Sequence, residues 1–169
     1  FKILDEGKPE YLTVTFDVHA PTFRHEMFSE YKGTRKPMAE ELRQQVPVIK
    51  EVLEAMNIST IEKAGLEADD LLGTLSRMCE ESGMDVSIIS GDRDTLQLAT
   101  EHVKIRIPKT KQGKTEIENY YAADVVERYK VTPREFIDVK ALMGDSADNI
   151  PGVPGIGEKT ATKIIMEYQ

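Results

Sequence analysis

Apolar positions along this chain switch between a period of two and a period of about 3.6, and the switches lay out a succession of strands and helices. Residues 11–16, Tyr-Leu-Thr-Val-Thr-Phe, have the β-branched and aromatic character of a strand. Leu42, Val46, Ile49, Leu53 and Met56 then recur at helical spacing, with Pro37 suited to the start of that helix and Pro47 expected to kink it. A short strand at 60–62 leads to a helix over 69–82, closed by Gly83. Residues 85–90 read as the next strand, followed by a short helix at 95–98 and by strands at 103–107 and 115–118 about a turn at Gly113. Residues 122–130, 133–143 and those from Glu158 onward read as helices. Alternating strands and helices predict an α/β fold, a mostly parallel sheet flanked by helices, with a helical C-terminal part.

Carboxylates gather at the ends of these apolar runs. They are Asp17, then Glu67, Asp69 and Asp70, then Asp92 and Asp94 in Gly-Asp-Arg-Asp, and finally Asp145 and Asp148 in Gly-Asp-Ser-Ala-Asp-Asn. Side chains at the carboxyl ends of parallel strands can converge from distant segments. Converging acids repel unless protonated, held apart or given cations, and hard divalent ions such as Mg²⁺ or Mn²⁺ take oxygen ligands of this kind. Any one cluster alone reads better as a solvated turn. Four clusters of shared topology favour a multi-carboxylate metal site.

Charge sharpens this picture. The 169 residues, 40% hydrophobic and 31% charged, are enough for one domain with a substantial core. The net charge of −8 argues against a polyanionic partner, but without the eight clustered acids the other 22 acids match the 22 Lys and Arg. Basic runs are local too. Lys104, Arg106, Lys109, Lys111 and Lys114 form one, and Arg24, Lys32, Arg35 and Lys36 the other. Cys79, on the stripe Leu72, Leu75, Cys79, is expected to be a buried thiol. His19, His25 and His102 lack metal-ligand spacing and are expected to be surface or packing residues. No apolar run reaches bilayer length and no signal peptide opens the chain, so the expected location is cytoplasmic, with no membrane.

Two segments look built for nucleic acid. The connector from Asp17 to Pro37 is long for a crossover and mixes Phe23, Phe28 and Tyr31 with Arg24, Lys32 and Arg35. Aromatic faces can stack bases while cations follow phosphates, although a plain surface loop fits the same composition. In the tail, Ile-Pro-Gly-Val-Pro-Gly-Ile-Gly-Glu-Lys-Thr-Ala ends at Ala161; its glycines and the following helix start suit a phosphate, or merely a turn. Glu158 follows the last Gly where a nucleotide-binding P-loop needs Lys, which excludes that ATPase reading.

Phe16-Asp17, Phe23-Arg-His-Glu26, Tyr31-Lys32, Glu67-Ala-Asp-Asp70, Gly91-Asp-Arg-Asp94 and the stretch from Gly144 to Ala161 together resemble, in order and over nearly the whole chain, the 5′-nuclease (5′→3′ exonuclease) domain of bacterial type I DNA polymerases, within the flap endonuclease, PIN-like family. The resemblance implies one 5′-nuclease domain over 1–169. Its PIN-like α/β core would be 1–121, with a helical arch at 18–37, and its helical part 122–169 would carry a helix-hairpin-helix. It implies that Asp17, Glu67, Asp69, Asp70, Asp92, Asp94, Asp145 and Asp148 bind two divalent ions. Arg24, Tyr31, Lys32 and Arg35 would contact DNA from the arch, with Lys32 and Arg35 stabilising the charge on the phosphate. Gly155, Gly157, Lys159 and Thr160 would grip duplex phosphates, with a K⁺ ion at the hairpin. The implied substrates are DNA with 5′ ends, flaps or nicks, and RNA primers on DNA. The implied setting is a longer chain with a polymerase domain at the bacterial nucleoid.

The chemistry such residues support is phosphodiester hydrolysis by two divalent ions about 4 Å apart, with no side-chain nucleophile. The family's first motif, an N-terminal strand ending in Asp, has no counterpart before Phe1. The expectation is therefore a fragment of a longer chain, and the alternative is a catalytically weak or inactive DNA-binding fragment. A haloacid dehalogenase-type phosphatase wants Asp-x-Asp-x-Thr, whereas Thr95 directly follows Asp94, so that reading fares poorly.

Overall fold

The computed structural model describes residues 2–111 and 114–168, which form two compact units. The first comprises Phe1–Met27 with Lys36–Leu71, the second Phe28–Arg35 with Leu72–Gln169.

In the first unit, α1 (Lys2–Gly7) precedes β1 (Thr13–Thr15), and the connector after Asp17 holds a short helix, α2 (Phe23–Met27). Helices α3 (Glu40–Arg43) and α4 (Gln45–Ala55) lead to β2 (Ser59–Ile61). Strands β1 and β2 pair in parallel, Thr13 opposite Ser59 and Thr15 opposite Ile61. The expected single helix is thus two, broken at Gln44. Pro47 explains the break: it has no N–H to offer and its ring collides with the carbonyl four residues back, at Arg43, the last residue of α3. Pro37 does not open the helix, which starts at Glu40. Val46 and Leu53 of the apolar stripe are half-buried, but Leu42, Ile49 and Met56 are exposed. Helix α4 packs on β2 and α3, and a two-stranded sheet is too narrow to cover a whole stripe.

Helix α5 (Ala68–Glu81) follows, its first four residues in the first unit and the remainder in the second. Gly83 ends it at φ +79°, a conformation a side chain disfavours. Then come β3 (Val86–Ile89), a 3-10 helix (Arg93–Leu98), β4 (Val103–Lys111) and β5 (Lys114–Tyr120). Strand β3 pairs parallel with β4, and β4 antiparallel with β5. The sheet is therefore two pieces among the described residues, two parallel pairs plus an antiparallel hairpin. The expected turn at Gly113 lies outside the described residues.

The hydrophobic core of the second unit gathers Ile88, Leu96, Val103, Ile105, Val125 and Val139 between this sheet and helices α6 (Ala122–Tyr129), α7 (Pro133–Met143) and α8 (Glu158–Glu167). Alternate residues of β4 supply it, as period-two burial requires. The start of α7 is set locally. Thr132 and Glu135 exchange side-chain-to-backbone hydrogen bonds at 2.7 and 3.2 Å, and Pro133 occupies the first helical position. Cys79 is half-buried rather than buried. No helix among the described residues is long and apolar enough to cross a membrane.

Candidate metal and nucleic-acid site

The eight acids divide evenly between the two units. In the first, all four surround the N-terminus of α5. Asp17, just beyond β1, accepts the Ala68 amide at 2.6 Å, and Asp70 accepts the Glu67 amide at 2.9 Å. Negative charge is favourable there because the helix presents unpaired N–H groups and the positive end of its dipole. Arg24 then grips Asp70 through both terminal guanidinium nitrogens and lies 3.9 Å from Glu67, with its Cζ 4.5 Å from the centre of the Phe23 ring. Asp69 is exposed on the same turn.

In the second unit, Asp92 caps the 3-10 helix by accepting the Asp94 amide at 2.8 Å. Lys140, in the last turn of α7, sets its ammonium 3.0 Å from Asp94 and 2.8 Å from Asp145. Burial pushes the Asp94 carboxyl above its ordinary range, against the pull of Lys140 and with the help of Asp92 and Asp145. Burial works the same way on Asp145, but its hydrogen bonds to Lys140 and to the Ala147 and Asp148 amides outweigh it and hold that carboxyl below its ordinary range. Lys140, desolvated but hydrogen-bonded to both acids, is raised.

Asp145 and Ile150 exchange backbone hydrogen bonds, closing a small loop that carries Asp148. The loop needs Gly144 at φ +74° and Gly152 alongside, since a Cβ on Gly144 would lie 2.3 Å from the Gly152 nitrogen. Asp148 is held by Arg35 and by the Tyr31 hydroxyl at 3.1 Å. Tyr31 is only 5% exposed, so its ring packs inward while its hydroxyl orients the acid. The Lys32 ammonium lies 5.0 Å from that ring.

At the C-terminal hairpin, Gly155 takes φ +81°, the Ile156 amide donates to the Val153 carbonyl at 3.0 Å, and Gly157 stands at the N-cap of α8, where it has no side chain to accept from the first-turn amides. Lys159 and Thr160 are exposed on that turn. His25 bonds to Thr22 and His102 to Asp85, both as packing or surface pairs.

Among the described residues, no three acidic, His or Cys side chains stand in the geometry of a ready-made ion site. Arg24 instead lies between Asp70 and Glu67, Lys140 lies between Asp94 and Asp145, and Arg35 pairs with Asp148. The donor set still fits a hard divalent ion, because it is all carboxylate oxygen and its charge already draws cations. Lys140 escaped the sequence reading; its only signal is a lysine one turn ahead of Gly144-Asp145 at a helix C-terminus.

This fold and these carboxylate clusters define a class. The 5′–3′ exonuclease N-terminal resolvase-like domain matches residues 1–130 and the 5′–3′ exonuclease C-terminal SAM fold matches 131–169, so the chain belongs to the 5′–3′ exonuclease family. DNA polymerase I of Bacillus caldotenax is 50% identical over 167 residues, 99% of this chain and 19% of that protein, so the chain spans about a fifth of that relative's length. Two solved structures of bacteriophage T5 are also similar. The D15 protein co-crystallised with metal ions has a TM-score of 0.81 and 29% identity, over 99% of this chain and 65% of that one. The D15 flap endonuclease in a pseudo-enzyme–product complex with DNA and metal ions has a TM-score of 0.78 and 29% identity, over 99% and 63%.

Proposed function

We propose that this chain is a metal-dependent, structure-specific 5′-nuclease domain over 1–169, with an α/β core to residue 121 and a helical part beyond. It hydrolyses phosphodiesters at 5′ ends, flaps and nicks of DNA, and RNA primers on DNA. The observation that carries the reading is that four acids ring the N-terminus of α5 and four more hang from the 3-10 helix and the 144–150 loop, each set holding its own cations: Arg24 in the first, Arg35 and Lys140 in the second. Asp17, Glu67, Asp69 and Asp70 in one unit and Asp92, Asp94, Asp145 and Asp148 in the other would hold Mg²⁺ or Mn²⁺. Bound divalent ions supply activated water and charge neutralisation at the phosphate. Lys32 and Arg35 then place positive charge where the transition state gathers negative charge. Arg24 lies beside Asp70 for a DNA phosphate, and Tyr31 positions Asp148.

At the other end, Gly155, Gly157, Lys159 and Thr160 present amides, an ammonium and a hydroxyl to duplex phosphates, with K⁺ as a further ligand of the turn. The domain would work in a longer polymerase chain, in the cytoplasm at the bacterial nucleoid.

A 5′-flap DNA incubated with Mg²⁺ should be cut, with no cutting in EDTA or by Asp92→Ala. Cutting that survives both would overturn the reading. A second reading, a DNA-binding fragment that cuts weakly or not at all, is favoured by the absence, among the described residues, of three acids already placed around one ion. Mg²⁺-independent flap binding without product would support it.

A further inference from the structure

Residues 28–35 are stitched to the 144–151 loop by hydrogen bonds to main-chain carbonyls as well as by the pairing of Tyr31 and Arg35 with the Asp148 carboxylate. The Asn149 amide group donates to the Glu30 carbonyl at 2.8 Å, the Lys32 amide to the Asp148 carbonyl at 2.8 Å, and Arg35 Nε to the Ala147 carbonyl at 3.1 Å. Lys32 and Asn149 both adopt left-handed backbone, at φ 56° and 58°, to make the fit. Between the two segments remains an open depression of about 330 Å³. Phe28, Ile150 and Pro151 form its apolar lining, and Phe28 and Ile150 remain 38% and 42% exposed. Glu30, Thr34, Ser146 and Asn149 place polar groups around it.

We propose that this depression is a stacking pocket for one nucleobase of the unpaired 5′ strand. The chemistry of the lining points to that occupant. An aromatic ring flanked by Pro and Ile offers a flat apolar surface, every base has a π-face, and the volume lies at the small end of ligand sites, suited to a single ring system. Hydroxyls of Thr34 and Ser146 can donate or accept at the base edge, and the Glu30 carboxylate can accept from an exocyclic amino group. Lys32 and Arg35 lie in the same stitched segment, so a strand whose base enters here brings its phosphates beside cations. The stitching holds the pocket ready, so little ordering is lost on binding. The proposal rests on the nuclease reading for its substrate and adds a base-binding subsite to it.

The test is 2-aminopurine fluorescence of 5′-flap DNA bound in EDTA, with the probe moved along the flap. One flap position should be quenched by the wild-type chain and by Phe28→Trp, and unquenched by Phe28→Ala and Ile150→Ser. Phe28→Ala should weaken flap binding about 5-fold or more, the scale of one stacked base. Ile150→Ser, on the opposite segment, decides the matter if Phe28→Ala fails to fold. Quenching at no position, or quenching indifferent to both substitutions, overturns the pocket while Mg²⁺-dependent cutting leaves the nuclease reading standing. Neither binding nor cutting sinks both.

Discussion

The guanidinium of Arg24 meets the carboxylate of Asp70 along two parallel hydrogen bonds, Nη1 to Oδ2 at 2.8 Å and Nη2 to Oδ1 at 2.7 Å. Only a planar fork reaches both oxygens at once, so lysine is not a substitute. Arg24→Lys and Arg24→Ala should each lower stability, by about 1–2 kcal/mol for Ala, because Asp70 is left partly buried with a donor missing. Urea denaturation at neutral pH checks this, and unchanged midpoints for both variants would show that the pair contributes nothing.

Lys140 neutralises two acids that otherwise face each other across one ammonium. Lys140→Met should therefore destabilise the chain by about 1–2 kcal/mol in a chelator, the cost of leaving two half-buried carboxylates without their shared donor. If these acids bind divalent ions, Mg²⁺ should return much of that loss, since an ion replaces the missing positive charge. Thermal melts with EDTA and with Mg²⁺ separate the two parts; a loss equal in both would dissociate Asp94 and Asp145 from ion binding.

Gly144 and Gly91 stand beside acid clusters yet differ in what a methyl group would meet. At Gly144 the backbone has φ +74° and a Cβ would press to 2.3 Å on Gly152, whereas at Gly91 nothing lies within 4 Å. Gly144→Ala should cost about 2 kcal/mol or more and distort the loop holding Asp145 and Asp148, while Gly91→Ala should be near neutral. Comparable melting temperatures for the two variants would contradict the tight crossing at Met143–Gly144.

Burial, joined by the hydrogen bond its hydroxyl donates to Glu118 at 2.9 Å, pushes the Tyr120 phenol up from 10 to about 12. A raised folded-state pKa means that the neutral form is favoured by folding. The contribution is fully present below pH 10 and is lost as pH rises through about 12, because the unfolded phenol ionises first. Stability measured from pH 9 upward should fall less steeply in Tyr120→Phe than in the wild-type chain, in a window about two pH units wide. Parallel curves would refute the shift.

Much of this architecture is legible from local pattern. The helix at Ala68–Glu81 announces itself through an acid-rich start and Gly83, and α7 through Thr132, Pro133 and Glu135, because caps and periodicity are short-range. The break at Gln44 was harder to see, since Pro47 acts one turn upstream of itself. Exposure of Ile49 and Met56 was not visible at all, because periodicity tells which residues share a face and not whether a neighbour covers it.

Composition and order of residues alone determined that this chain alternates strands with helices, that acids collect at their ends, and which family its motifs resemble. Tertiary structure decided which cations Asp70, Asp94, Asp145 and Asp148 meet. Arg24 reaches Asp70 across 46 residues and Tyr31 reaches Asp148 across 117, and no local preference encodes a partner so far along the chain. Such pairs exist only once packing has brought the segments within hydrogen-bond reach, which is why the acids could be named from sequence but the role of Lys140 and the inward turn of Tyr31 could not.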